Sequence, residues 1–207
     1  MRRWQPLSPL TGIGAVVLWV VGTYLLEKTD RPDGKDSAAF AAWVADNDTS
    51  LVAGTVVFGF GVLLFLWFLA ALRERLLLAE GGSGRLSTLG FAAGVVTGVM
   101  MLCIYLPHAK AAVDHKDMSD TAIEAVVQMG DAFFAGVELF GIVFFLAVGL
   151  VARRTGALPG WLAWFSFVLA LVLAVIPIGW AGVYVGLPLW TAITSVVLYR
   201  ATRPAAA

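Results

Sequence analysis

Two carboxylates stand inside the apolar stretch GDAFFAGVELFG, residues 130–141: Asp131 and Glu138. Glu124 precedes Asp131 by the same seven residues that separate Asp131 from Glu138. In one continuous helix, steps of seven drift by only about 20° each, so the three carboxylates form an acidic stripe that Gln128 extends. At 1.5 Å per residue, Glu138 lies about 10 Å deeper than Asp131. An ionised carboxylate at depth in a bilayer is costly, so Glu138 is expected to face the protein interior, to be paired, or to hold its proton.

Tyr105, His108, Ala112 and His115 follow at spacings of three, four and three, which puts the only two histidines on one helical face if the helix survives Pro107. Beside the acidic stripe, that face has the residue types for a proton relay or for a divalent metal at His108, Asp131 and Glu138. The plainer alternative is structural: Glu138 hydrogen-bonds a neighbouring helix, and His115, in DHKD, is a loop residue. No cofactor is specified.

These residues need elements to position them. The chain has 207 residues, 60% hydrophobic and 14% charged, with a mean hydropathy of +0.87. That composition belongs to a polytopic membrane protein. The net charge of zero gives no basic field for nucleic acid, and the single Cys103 excludes an intrachain disulfide or a multi-cysteine metal site. A bilayer crossing takes about 20 apolar residues. Six runs qualify, approximately 10–26, 51–72, 86–106, 132–152, 158–176 and 181–199, and they predict an all-α transmembrane bundle over residues 1–207. The first run ends in LLEKTD without a cleavage pattern and is expected to be retained.

Basic residues set the orientation. Arg2, Arg3, Arg73, Arg75, Arg85, Arg153, Arg154, Arg200 and Arg203 fall on one side; Lys28, Arg31, Lys35, Lys110 and Lys116 fall on the other. Both termini are therefore expected to be cytoplasmic, with the long connections 27–50 and 107–131 outside. In the first connection, Asp36 or Ser37 can cap a short helix whose Phe40, Trp43 and Val44 share a face suited to the membrane interface. In the second, Ser119 to Thr121 supply a helix start, Thr121 and Glu124 have capping-box spacing, and a single helix is expected from about 120 to 152. On the inner side, GGSG reads as a flexible hinge.

Gly90, Gly94 and Gly98 form a stripe that permits close helix packing, either inside the bundle or in a dimer contact. Trp161, Trp164, Trp180, Tyr184 and Trp190 read as interface-belt residues. The motifs HExxH, GxSxG and GxxxxGK[ST] do not occur, nor does a histidine pair at four-residue spacing, so the sequence gives no ground for an enzyme.

The segments FAAWVADNDTSLVAG, FLWFLAALRERLLLAEG, GDAFF and RRTGALPGWLAWFSFVLA together resemble a broad group of small polytopic membrane proteins of actinobacteria whose function is unknown. The resemblance spans most of the chain. It implies a bacterial plasma-membrane location and supplies no activity, ligand or catalytic residue. The leading functional expectation is a non-enzymatic accessory or scaffold subunit that docks, through the glycine face and outer helices, on a larger membrane complex or on further copies of itself. A small proton- or cation-coupled transporter using Glu138 and Asp131 is the alternative, and a metal-dependent intramembrane enzyme the third.

Overall fold

Apolar runs become helix because backbone groups withdrawn from water must pair within their own segment. The computed structural model describes residues 5–32 and 36–202, and no strand occurs among them. After a 3-10 turn, Gln5–Leu10, come α1 (Thr11–Leu26), α2 (Ser37–Asp46), α3 (Asp48–Glu80), α4 (Arg85–Asp114), α5 (Asp120–Thr155) and α6 (Gly160–Ala174). The last helix, α7 (Gly179–Ala201), contains a π turn at Gly182–Gly186. Arg2, Arg3, Lys35 and Arg203 lie outside the described residues.

Five helical segments are long and apolar enough to cross a membrane: α1 together with the end of the preceding 3-10 turn (Ser8–Leu26), α3, α4, α5 and α7. The fifth expected run, 158–176, yields only the 15 residues of α6. That is about 22 Å of helix, short of a hydrocarbon core of about 30 Å. Val175 leaves the helical conformation, and Pro177 just beyond it cannot donate to a continuing helix. A 3-10 turn, Ile176–Ile178, leads directly into α7.

The glycine stripe is consumed inside the bundle. A Cβ on Gly94 would stand 3.0 Å from both Leu69 of α3 and Phe144 of α5, while Gly90 faces Ala147 and Val148 and Gly98 faces Phe65. The stripe thus seats α4 between α3 and α5. Trp190 departs from the belt expectation. It is fully buried, edge-on to Phe68, Phe144 and Phe145, and donates its indole N–H to Ser166 Oγ at 2.9 Å. Trp161, Trp164 and Trp180 do lie on the surface.

At the end expected to be inner, GGSG is a defined turn rather than a loose hinge. Gly81, Gly82 and Gly84 have positive φ, and Glu80 reaches across to accept from the backbone N–H of Leu86 (3.0 Å) and Ser87 (2.8 Å), capping α4. At the other end, α2 covers the bundle. Asp36 caps it by accepting from the N–H of Ala38 and Ala39. Its Phe40, Trp43 and Val44 are buried in the protein core, with α2 packed on α5, instead of lying against lipid. A polar ring ties α2 to the connection from α1: Trp43 Nε1 donates to Thr29 Oγ1, Thr29 to Asn47 Oδ1, and Asn47 Nδ2 to the Trp43 carbonyl.

Candidate functional site

The helix of the acidic stripe is continuous, from Asp120 to Thr155. Its cap is Ser119, which accepts from Ala122 N–H, so Thr121 and Glu124 do not form the expected capping box. Glu124 instead accepts from Ser37 Oγ at 2.5 Å and from Gln128 Nε2 at 2.8 Å, which joins α5 to α2. Asp131 is held by both terminal nitrogens of Arg31, at 3.1 and 3.0 Å, and Arg31 also lies over the Phe40 ring. Glu138 abuts Gly179, the first residue of α7, and its side chain makes no hydrogen bond or ion pair with the described residues. The shortness of α6 explains this neighbour: the α6–α7 turn comes down to the level of Glu138. The stripe therefore has three separate environments.

The histidine face divides as well. Helix α4 does continue through Pro107, and Tyr105 and His108 are buried side by side with ring centroids 5.9 Å apart. His108 directs Nδ1 to the Ile104 carbonyl at 3.1 Å, which fixes its tautomer. His115 falls in the 3-10 turn after α4 and bonds the Ala112 carbonyl, away from the others. Among the described residues no group of three or more His, Cys, Asp or Glu is arranged to hold a metal ion.

What the half of the bundle next to α2 does contain is a pair of adjoining cavities. The larger, about 390 Å³, is an apolar chamber between α1, α3, α4 and α7. Trp19, Val20 and Thr23 come from α1, Phe58 from α3, Met101, Ile104 and Tyr105 from α4, and Trp180, Val183, Tyr184 and Pro188 from α7. The smaller, about 280 Å³, is a polar vestibule bordered by Asp30, Arg31, Trp43, His108 and Asp131. Glu27, Ile104, Tyr105 and Tyr184 line both, so the two spaces meet at these residues. Glu138 lines neither.

Local backbone chemistry builds the chamber's α7 wall. Pro188 has no N–H for the Tyr184 carbonyl four residues earlier, and its ring crowds that carbonyl. The helix answers with a π turn, in which Leu187 N–H reaches back to the Gly182 carbonyl. Val183 and Tyr184 are presented from this turn, and Tyr184 stacks on Phe134 of α5 with centroids 6.0 Å apart. Opposite, α1 packs along the Leu187–Thr202 part of α7, and the chamber lies beside the turns above it, where Val20 and Trp180 are both exposed.

Two polar atoms of chamber-lining side chains on α1 and α4 are buried behind the lining without a partner. Trp19 Nε1 and Tyr105 Oη belong to side chains 2% and 4% exposed, and neither completes a hydrogen bond, although the Thr23 and Tyr184 hydroxyls are polar neighbours of Tyr105. Leaving such groups unpaired in an apolar setting costs about 1–3 kcal/mol each. The side chain of Glu27, where the cavities meet, also lacks a hydrogen bond or ion pair with the described residues. Its surface opens on the cavities while protein surrounds the rest, and that burial pushes its carboxyl above the ordinary glutamate value.

Sequence reasoning found Tyr105, His108 and Asp131, which border these cavities, but missed Glu27, Trp19 and Tyr184. The available signals were Glu27 as the first charge after an apolar run, and Pro188 placed four residues after Tyr184. No protein-family model, no curated protein and no solved structure matches this chain.

Proposed function

We propose that this is a multi-pass protein of a bacterial plasma membrane, with six crossings and cytoplasmic termini, that acts without catalysis by binding an amphipathic molecule drawn from the outer leaflet. The observation that carries this reading is the apolar chamber itself, with two unpartnered donors, Trp19 Nε1–H and Tyr105 Oη–H, buried behind its lining. A ligand with an apolar body would fill the chamber, and an acceptor on it would satisfy the Tyr105 hydroxyl once that side chain turned toward the cavity. Entry beside Val20 and Trp180 supports a route through lipid, and the adjoining vestibule offers a wet berth for a polar end. In support of the sixth crossing, α6 packs on α5 and reverses into α7 through one short turn.

The surfaces on which an accessory role would rest are spent inside the molecule: the glycine stripe on α3 and α5, the apolar face of α2 on the core. A coupled transporter would, on this geometry, use Glu27 rather than Glu138.

The test is Tyr105→Phe. In delipidated protein this substitution removes an unsatisfied buried hydroxyl and should raise the unfolding temperature, while lipid extracts of gently purified protein should show less retained ligand. A lower unfolding temperature in the delipidated variant, with unchanged lipid content, would defeat the proposal.

A further inference from the structure

The chemical class of the ligand follows from a charge inventory of the two cavities, and rests on the binding function proposed above. Their charged or titratable lining is Glu27, Asp30, Arg31, His108 and Asp131, with the phenols of Tyr105 and Tyr184. The guanidinium of Arg31 is already committed, through both terminal nitrogens, to Asp131. His108 has its Nδ1 on a backbone carbonyl. The charge left over is negative: neither the Glu27 nor the Asp30 carboxyl has a hydrogen bond or ion pair among the described residues, and of the two only Glu27 borders both spaces. Around Glu27 the chamber is walled by the aromatic rings of Trp19, Phe58, Tyr105, Trp180 and Tyr184, whose faces attract a cation.

We propose that the chamber and vestibule form one site for a lipophilic organic cation, its charge held at Glu27 and its apolar body among the rings of α1, α4 and α7. A small inorganic cation does not suit the site. It would have to shed strongly bound water for a set of oxygen ligands that the described residues do not assemble. An organic cation with spread charge is weakly hydrated and brings the hydrophobic surface that the chamber matches. The raised Glu27 carboxyl agrees with this, because an unpaired carboxylate partly withdrawn from water is stabilised when a cation arrives.

Tetraphenylphosphonium and tetraphenylborate, nearly equal in shape and opposite in charge, provide the test. Binding to full-length protein in lipid nanodiscs is measured by equilibrium dialysis against empty nanodiscs, for wild type, Glu27→Gln and Glu138→Gln. The expected result is saturable phosphonium binding, little or no borate binding, a loss of about tenfold or more in phosphonium affinity in Glu27→Gln, and wild-type affinity in Glu138→Gln. Equal binding of the two ions, no phosphonium binding, or undiminished affinity in Glu27→Gln would each overturn the assignment of charge. In those cases the Tyr105→Phe lipid assay still decides separately whether the chamber binds a neutral amphipath. Thermal scans confirm that each variant is folded.

Discussion

Arg31 and Asp131, separated by 100 residues, are joined by a two-pronged ion pair, Nη1 to Oδ1 at 3.1 Å and Nη2 to Oδ2 at 3.0 Å. The pair ties the connection after α1 to α5 across the mouth of the vestibule. Both side chains are partly open, 33% and 56% exposed, so screening limits its worth to at most about 1 kcal/mol. Arg31→Lys keeps the charge but loses the fork. The expected outcome is a small drop in unfolding temperature and faster amide exchange in α2, both diminished at high salt. An unfolding temperature lowered as much at high salt as at low salt would contradict this role.

Close approach of α4 and α5 makes a sharper prediction. A Cβ at Gly130 would collide with the Ile104 carbonyl, which is backbone and cannot swing aside. Gly130→Ala should cost about 1–3 kcal/mol, and Gly160→Ala, where nothing lies within 4 Å, should be close to neutral. Chemical denaturation of the two variants in matched micelles compares them directly.

Trp190 anchors the centre through packing and one hydrogen bond. Trp190→Ala should destabilise by about 3–5 kcal/mol. Ser166→Ala strands the indole N–H and should cost about 1–3 kcal/mol with little change in volume. If Ser166→Ala unfolds with wild-type stability, the bond contributes nothing.

Glu27 sets a pH dependence whose sign is fixed. Its folded-state carboxyl titrates above the ordinary value, because burial disfavours the charged form. The folded protein therefore binds this proton more tightly than the unfolded chain, and the resulting stability is fully present below the unfolded value and lost as pH rises through the folded one. Charged and titratable neighbours, Arg31 and Asp131 on the vestibule, His108 and Tyr105 on α4, and Tyr184 on α7, are common to wild type and Glu27→Gln. The difference between their unfolding temperatures should thus narrow as the buffer is acidified from neutrality. Cation affinity should move oppositely, weakening as Glu27 takes up its proton. A constant gap between the two proteins across this range would remove the effect.

The periodic parts of this architecture were readable in advance, and the contacts between them were not. Helix α5 could be traced from its Ser119 start across Gly130, because local signals govern a helix of that length. The Phe40, Trp43 and Val44 face of α2 was visible for the same reason, yet its spacing cannot distinguish protein from lipid as the surface it meets. Trp190 looked like any interfacial tryptophan, since its burial depends on Phe68, Phe144 and Phe145 arriving from two other helices. Glu138 drew attention by its depth in an apolar run, a measure that assumed an outer boundary set by six full spans. With α6 only 15 residues long, the carboxylate lies beside a turn. Glu27 appeared to be an ordinary loop charge, and only the convergence of α1, α4 and α7 gives it a cavity on either side.

The π turn in α7 also makes the helix's rotation depend on residue count. Deletion of the one extra residue within Gly182–Gly186 would leave the two parts of the helix in phase, whereas rewinding these residues as regular α-helix at unchanged length would turn everything before them by about 100° relative to Leu187–Thr202. Trp180 would swing away from α1, and the hairpin with α6 would have to twist to follow. Small insertions and deletions are usually absorbed in loops. Here a helix holds its extra residue within itself, and its winding decides which side chains face the chamber.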